Sequence, residues 1–289
     1  MMKVPDRFLR VVREGWKVWA MPGWLPHISA IIERAQRAYE WVYQSKHART
    51  CRLDLPGLPP AFLKAYRPYR WLGVLKDAVR PSKALRALVM SGELERAGLA
   101  AARVLAAGER RRFGFLRGAF LVTAEVDAPD LREFMGALAA DGSVKAKHRF
   151  LSMLGRHVAR LHEAGFCHGD LVPTNVRVRG GSAEPEIVLL DNDRTCIGSR
   201  PVGLREARRN LVQLNRFVVK GLTAADRWRV FYAYCASRHL DHDEARRLGR
   251  WVINKTIERR RRFDGIEAAG HMSFRALMRM PDPQPPQSL

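Results

Sequence analysis

The chain has 289 residues, 47% of them hydrophobic, which is enough to bury a sizeable core without disulfide or metal staples and excludes disorder as the main state. Lys and Arg number 51 against 29 Asp and Glu, a formal charge of +22. A field of that sign suits phosphorylated substrates, nucleic acid or an anionic membrane surface.

Apolar stretches such as the alanine-rich run ending near Gly108, interrupted by Arg103, fall short of the roughly 20 residues a spanning helix needs. The start of the chain, with Met1, Lys3, Arg10 and Arg13, lacks the apolar centre of a secretory signal, so a cytoplasmic location is expected. Cys51, Cys167, Cys196 and Cys235 are dispersed with no CxxC pair, which fits reduced thiols and no zinc site.

In chain order, residues 1–40 read as a helical extension, with Ile31, Ile32 and Ala35 at helical spacing. A hairpin is expected next, from alternating residues 50–55, the Pro56-Gly57 turn and the short run 61–65 that carries Lys64. Ser82 opens a helix to Ala97 that Gly98 stops, and strands are expected at 103–106 and 119–125. After Asp127 the pattern turns helical: residues 131–140, then an amphipathic stretch 144–164 ended by Gly165. Two short strands at 175–179 and 187–190, joined at Gly180-Gly181, precede helices from about 204 to 280, and the Pro/Gln-rich tail 281–289 reads as disordered. This is an α+β chain in two lobes: after the extension 1–40, a smaller β-rich lobe over 41–126 and a larger helical lobe over 127–280.

The segment Cys167-His168-Gly169-Asp170-Leu171-Val172-Pro173-Thr174-Asn175 carries the chemistry, because it fits H-x-D-L-x-x-x-N, a kinase catalytic loop with Gly169 where arginine is usual. At that spacing Asp170 would accept the proton of an attacking hydroxyl, and Asn175 would turn back to hold Mg2+ against nucleotide phosphates. One hairpin later the apolar strand Ile187-Val188-Leu189-Leu190 ends in Asp191-Asn192-Asp193-Arg194, which makes Asp191 the second metal ligand, with Asp193 able to share the ion. Lys64 would reach the α and β phosphates if oriented by a helix acid, and Glu93 and Glu95 are the only acids in the helix that Ser82 opens, with no ground for choosing between them. No G-x-G-x-x-G precedes Lys64; the stretch 44–49 offers only backbone amides with Lys46 or Arg49. His168 is expected to pack the loop rather than carry a proton.

Together the segments 61–64, 111–126 (RRFGFLRGAFLVTAEV), 168–175 (HGDLVPTN) and 189–194 (LLDNDR) resemble the bacterial lipopolysaccharide kinase family, the Kdo/heptose kinases and their InaA-like relatives, over roughly residues 40–235. The resemblance implies a protein-kinase-like fold and ATP-dependent phosphorylation of an inner-core sugar at the cytoplasmic face of the inner membrane. It also implies that Lys64 is the ATP lysine, Asp170 the base, Asn175 and Asp191 the Mg2+ ligands, and Glu125 and Val126 the hinge that holds adenine through backbone groups. Two departures stand out: the degenerate glycine loop, and Asn210 where an aspartate is usual before the next Leu-x-x-Leu.

Gly169 removes the arginine that gathers an activation-loop phosphate, and no alanine-proline-glutamate motif follows, both of which favour a small-molecule or glycolipid kinase over a protein kinase. An aminoglycoside- or choline-type kinase is the nearest alternative, but Ile197-Gly198-Ser199-Arg200 stands where such enzymes carry Gly-Asp-Pro. A pseudokinase that binds a partner or the membrane is the non-enzyme alternative. Arg246, Arg247, Arg250, Lys255 and residues 259–262 lie on a predicted helix, either as a surface for anionic headgroups or as a solvated face. No zinc finger, RNA-recognition signature or aromatic platform accompanies the charge, so nucleic acid is not an expected partner.

Overall fold

The computed structural model describes residues 3–37, 41–44, 48–67, 80–181, 184–216 and 222–263. The expected tail 281–289, residues 264–280 of the expected helical lobe and residues 45–47, with Lys46, lie outside them. The chain divides into two compact units, one of residues Met1–Val126 with Asp191–Thr195, the other of Asp127–Leu190 with Cys196–Leu289.

The first unit is built on an antiparallel seven-stranded sheet. Its strands are β1 (Leu9–Arg13), β2 (Trp16–Ala20), β3 (Tyr43–Gln44), β4 (Ala48–Leu53), β5 (Ala61–Tyr66), β6 (Val104–Arg112) and β7 (Phe115–Ala124), in the spatial order β1-β2-β6-β7-β5-β4-β3. The helical extension expected over residues 1–40 is therefore corrected. Among the described residues there only Ile28–Gln36 (α1) is α-helical, while β1 and β2 pair as a hairpin and β2 joins β6. The reason lies in the residues: Val11, Val12, Val18 and two tryptophans are β-formers, β2 buries every second residue, and Glu14 and Gly15 between the strands both have positive φ (50° and 74°).

Each face of the sheet has its own core. Trp16, Val18, Leu53, Leu63, Phe120 and Val122 pack with Ile28, Ile31 and Ile32 of α1 on one side. On the other, Ala107 and Leu121 pack with Ala84, Ala87 and Leu88 of the helix α2 (Lys83–Arg96). Ser82 caps α2 by accepting from the Leu85 amide at 3.2 Å, and Gly98 at φ 70° ends it, as the sequence predicts. Because side chains alternate along β5, Ala61 and Leu63 enter the α1 core while Lys64 and Tyr66 fall on the α2 side.

The second unit begins with α3 (Leu131–Ala140), started by a capping box between Asp130 and Glu133, and α4 (Val144–Glu163). Then come β8 (Phe166–Cys167), the hairpin β9 (Val176–Arg179) and β10 (Glu186–Leu189), and β11 (Cys196–Ile197), which pairs with β8. Three helices complete it: α5 (Leu204–Arg216), α6 (Ala224–Ser237) and α7 (His242–Phe263). Leu151, Leu154, Val158 and Leu161 of α4 are buried at helical period, and α6 crosses so closely that a Cβ on Gly155 would run into Val230 and Ala233. The basic face expected on α7 needs one correction. Every fourth residue from Leu248 through Val252 and Thr256 faces inward, so Arg260 on that stripe is 1% exposed, while Arg261 and Arg262 stay on the surface.

Candidate active site

In the first unit, Lys64 on β5 donates to Asp191 Oδ1 at 2.6 Å and lies 3.6 Å from Asp193 Oδ2. The ammonium also sits 5.3 Å from the centre of the Tyr66 ring. The turn carrying the two acids is shaped by Asp191 itself, which adopts the left-handed conformation (φ 56°, ψ 56°) that Asp tolerates better than most residues. Between the acids, Asn192 points into the interior, where its amide donates to Ser91 Oγ of α2 at 3.3 Å and its carbonyl accepts from Thr195 Oγ1 at 3.3 Å.

Burial is the main influence raising the Asp193 carboxyl above its usual range, with the Asp191 charge adding to it and Lys64, Lys83 and Arg194 opposing. Burial, then the charges of Asp193 and Asp191, push the Tyr66 hydroxyl well above its ordinary value, so it stays protonated. Two carboxylates converging on one ammonium form a hard-oxygen, anionic set of the kind Mg2+ uses when it takes one or two carboxylates and completes its shell with phosphate and water. Among the described residues no cluster of three or more His, Cys, Asp or Glu could hold a metal by protein ligands alone.

Glu93 and Glu95, expected to orient Lys64, have other partners in this structure. Glu93 pairs with Arg96 at 2.5 Å and Glu95 with Arg7 at 2.5 Å. On the helical period, the inward stripe of α2 runs through Ala84, Ala87, Leu88 and Ser91, so the residue facing the acidic turn is a serine. At the end of β7, the Glu125 amide donates to Pro60 O at 3.0 Å and its carboxylate pairs with Arg52 at 3.1 Å. The Glu125 amide is thus already committed, and Val126 is the last residue of this part of the unit.

In the second unit, the loop 168–175 is held by amide side chains from α5. Asn210, fully buried, accepts from the His168 amide through Oδ1 at 3.0 Å and donates through Nδ2 to the His168 carbonyl and, at 3.0 Å, to Gln213 Oε1. Because the His168 N–H is an obligate donor, only this orientation of the Asn210 amide fits. Gln213 accepts from the Leu171 amide at 3.1 Å and donates to Gly169 O at 3.1 Å, with Asp170 Oδ1 at 3.4 Å. Arg209 adds a second donor to Gly169 O at 2.8 Å.

Behind Asn210, His162 Nε2 lies 3.1 Å from its Oδ1, and His162 Nδ1 lies 2.9 Å from the Tyr234 hydroxyl. With Oδ1 an acceptor, Nε2 must carry the proton, and Tyr234 donates to Nδ1. Burial holds the His162 imidazole down to about 4, the Asn210 hydrogen bond opposing and Arg238 assisting. His168 is equally determined: the Asp170 amide donates to its Nδ1 at 3.1 Å, so Nε2 is the donor to Leu190 O at 3.0 Å. The Asn175 amide donates to Asp170 O at 3.0 Å, and Asn175 O accepts from the Leu190 amide at 2.9 Å. Leu190 is thereby tied twice to the loop, one residue before Asp191.

The structure therefore brings together Lys64 with Asp191 and Asp193 in one unit, and Asp170 with Asn175 in the other. Residues the sequence reading did not single out are Tyr66, Ser91, His162, Arg209, Gln213 and Tyr234. Gln213 had a signal, since it lies one helical turn after Asn210; His162 had none.

A family model described as "Lipopolysaccharide kinase (Kdo/WaaP) family" matches residues 33–234. The solved structure "WaaP in complex with acyl carrier protein" matches at 20% identity and TM-score 0.59, covering 86% of this chain and 98% of that one. The PknI kinase domain of Mycobacterium tuberculosis matches at 15% identity and TM-score 0.35, covering 83% of this chain and 81% of that one. Among curated proteins none matches. With a kinase-like fold and a family match spanning more than two thirds of its length, the chain belongs to the lipopolysaccharide kinase (Kdo/WaaP) family and is a kinase.

Proposed function

We propose that the protein phosphorylates a sugar hydroxyl of the lipopolysaccharide inner core, or of a closely related glycolipid, using ATP and Mg2+. The observation that carries this reading is the Lys64 ammonium held at 2.6 Å by Asp191 and within 3.6 Å of Asp193, a cation and two hard anionic donors in the kinase order of motifs. Mg2+, when bound, would neutralise phosphate charge through Asp191, with Asp193 and the Asn175 amide oxygen as the remaining protein donors. Lys64 holds the α and β phosphates. Asp170 accepts the proton of the attacking sugar hydroxyl; Gln213 near one carboxylate oxygen steadies it, leaving the other oxygen for the proton. Adenine is read by backbone of the 125–126 segment through the Glu125 carbonyl and Val126, since the Glu125 amide is engaged by Pro60.

The working location is the cytoplasmic face of the inner membrane, where such a glycolipid is found; no described helix is long and apolar enough to cross a membrane. A second partner has its own observation. The WaaP structure contains an acyl carrier protein, and the helical unit here has an apolar cavity of about 90 Å³ lined by Leu131, Met135, Leu151, Trp228, Phe231 and Val252, room for a short apolar segment. Intact-mass analysis of anything co-purifying with the native protein tests that reading.

The phosphotransfer reading is tested by incubating the purified protein with MgATP and core glycolipid and following phosphate incorporation by mass spectrometry. Asp170→Ala should lower turnover roughly 100-fold or more while ATP binding persists. Wild-type turnover by that variant would remove Asp170 from the chemistry, and glycolipid left unphosphorylated by the wild-type protein would overturn the substrate class.

A further inference from the structure

At the end of the sheet where β6 turns into β7, Arg112 pairs with Phe115 and the two residues between them, Phe113 and Gly114, both have positive φ (51° and 80°). A two-residue turn of this hand ordinarily takes Asn, Asp or Gly at its first position, because a bulky L residue is strained there. Here that position holds a phenylalanine with 84% of its surface exposed. Both its conformation and its solvation are unfavourable to the isolated protein, and strain kept at a surface turn points to use rather than to packing.

The turn is also rigidly presented. Arg111 donates to Gly114 O at 3.0 Å, to Arg80 O at 2.8 Å and to Glu109 Oε1 at 2.9 Å, so the apex is stapled to the body of the unit. Around it the surface is basic. Arg112 lies 5.4 Å from the Phe113 ring centre, Arg117 is exposed on β7, and the register Arg13↔Trp16↔Arg110 brings the β1–β2 turn, with exposed Arg13 and 67%-exposed Val12, to the same end of the sheet. Of the acids at this end, Glu109 is spent on Arg111 and the Ser82 amide, and Glu14 in the β1–β2 turn is exposed among the arginines.

We propose that this end of the sheet is a membrane-docking wedge: Phe113 enters the interfacial layer of an anionic bilayer, while Arg13, Arg112 and Arg117 meet lipid phosphates. A ring at the apex together with an exposed valine suits an acyl boundary, where the aliphatic side chain gains as much as the aromatic one; a nucleic acid would reward only the ring. The substrate of the family is itself a lipid. The wedge deepens the membrane-face location proposed above by giving it a surface.

The test uses the full chain, sedimented with vesicles of phosphatidylglycerol and phosphatidylethanolamine or of phosphatidylcholine alone. Phe113→Asn is the informative variant, because Asn suits the left-handed position and should melt no lower than the wild type. It should bind the anionic vesicles roughly tenfold more weakly, the loss expected when a phenyl ring no longer leaves water. Phe113→Trp should gain a blue-shifted emission component on anionic vesicles that the wild type lacks. Transfer to detergent-dispersed core glycolipid should be unchanged by Phe113→Asn, and transfer to vesicle-embedded glycolipid reduced. Equal vesicle affinity of Phe113→Asn and wild type would overturn the proposal, as would a loss confined to single-stranded oligonucleotide. If the wild type transfers no phosphate but the vesicle results hold, the phosphotransfer reading fails and the wedge stands.

Discussion

Replacing Asn210 by leucine keeps the branching and the heavy-atom count of the side chain and removes its polar atoms, so the hydrogen bonds are lost without opening a cavity. Three buried groups would lose the hydrogen bond that Asn210 gives them, the His168 N–H, the His168 carbonyl and the His162 Nε2–H, along with a weaker contact from the Cys167 thiol at 3.7 Å. Gln213 Oε1 would keep the Leu171 amide and is not orphaned. At about 1–3 kcal/mol for each unsatisfied buried group, and allowing that a shifted loop relaxes part of it, Asn210→Leu should cost about 3–5 kcal/mol. For a protein of this size that corresponds to a melting temperature lower by roughly 6–15 °C. Urea and thermal unfolding followed by circular dichroism read the stability. Steady-state kinetics read the loop: kcat should fall more than KM for ATP changes, because Asp170 is two residues from the lost clamp while the Lys64 cluster belongs to the other unit. A destabilisation under about 1 kcal/mol with unchanged kcat would refute the reasoning, since the loop would then hold its shape without the amide.

His162 sets a pH dependence. Its imidazole titrates near 4 when folded and near 6.5 when unfolded, so the unfolded chain binds the extra proton between those values. The contribution of this group is complete above pH 6.5 and falls as pH drops toward 4, by about 3 kcal/mol; burial holds His157 down to about 4 as well, so His162→Gln should remove about half of that slope and leave the His157 share, and an unchanged slope would assign it elsewhere. Lys64→Met removes the only ammonium that pairs with both Asp191 and Asp193 among the described residues, and should push the Asp193 carboxyl higher still while lowering ATP affinity, measurable by carboxyl NMR titration and calorimetry. Glu93→Gln and Glu95→Gln should each leave turnover within about twofold, because a surface pair contributes little; a large loss in either would return that glutamate to Lys64. Gly155→Ala should cost at least about 2 kcal/mol in a urea melt by wedging α4 from α6.

Most elements from residue 48 onward are legible because each signal is local, but β6 and β7 run well past the expected 103–106 and 119–125, and the short strands β8 and β11 carry no local signal. Ser82 and Gly98 bound one helix, Gly165 ends another at φ 81°, and strand alternation around Pro56-Gly57 marks the β4–β5 hairpin. Residues 1–20 misled because Ile31, Ile32 and Ala35 have helical spacing, and that pattern was extended backwards across the Glu14-Gly15 turn into a β hairpin. Among the candidate site residues, Asp170, Asn175 and Asp191 stand out by spacing along the chain and Lys64 by its place on a short strand. The partner of Lys64 does not, because it depends on which face of α2 meets the acidic turn, a rotation that two glutamates in sequence do not encode. The same holds for Gln213, His162 and Tyr234: side chains 43, 48 and 72 residues from their partners meet only once the helices have packed.

The anchor of Lys64 in this structure lies on the Asp191–Asp193 turn and not on a helix, while Glu93 and Glu95 of α2 pair with arginines. A survey that sorts kinase-like chains into living and dead by asking for a helix glutamate opposite the lysine would misfile this one. The informative column for such a survey is the third residue of the acidic turn: an acid there, as in Asp193, keeps a second carboxylate near the ammonium, and chains that lack the helix acid should be sorted by whether they retain it.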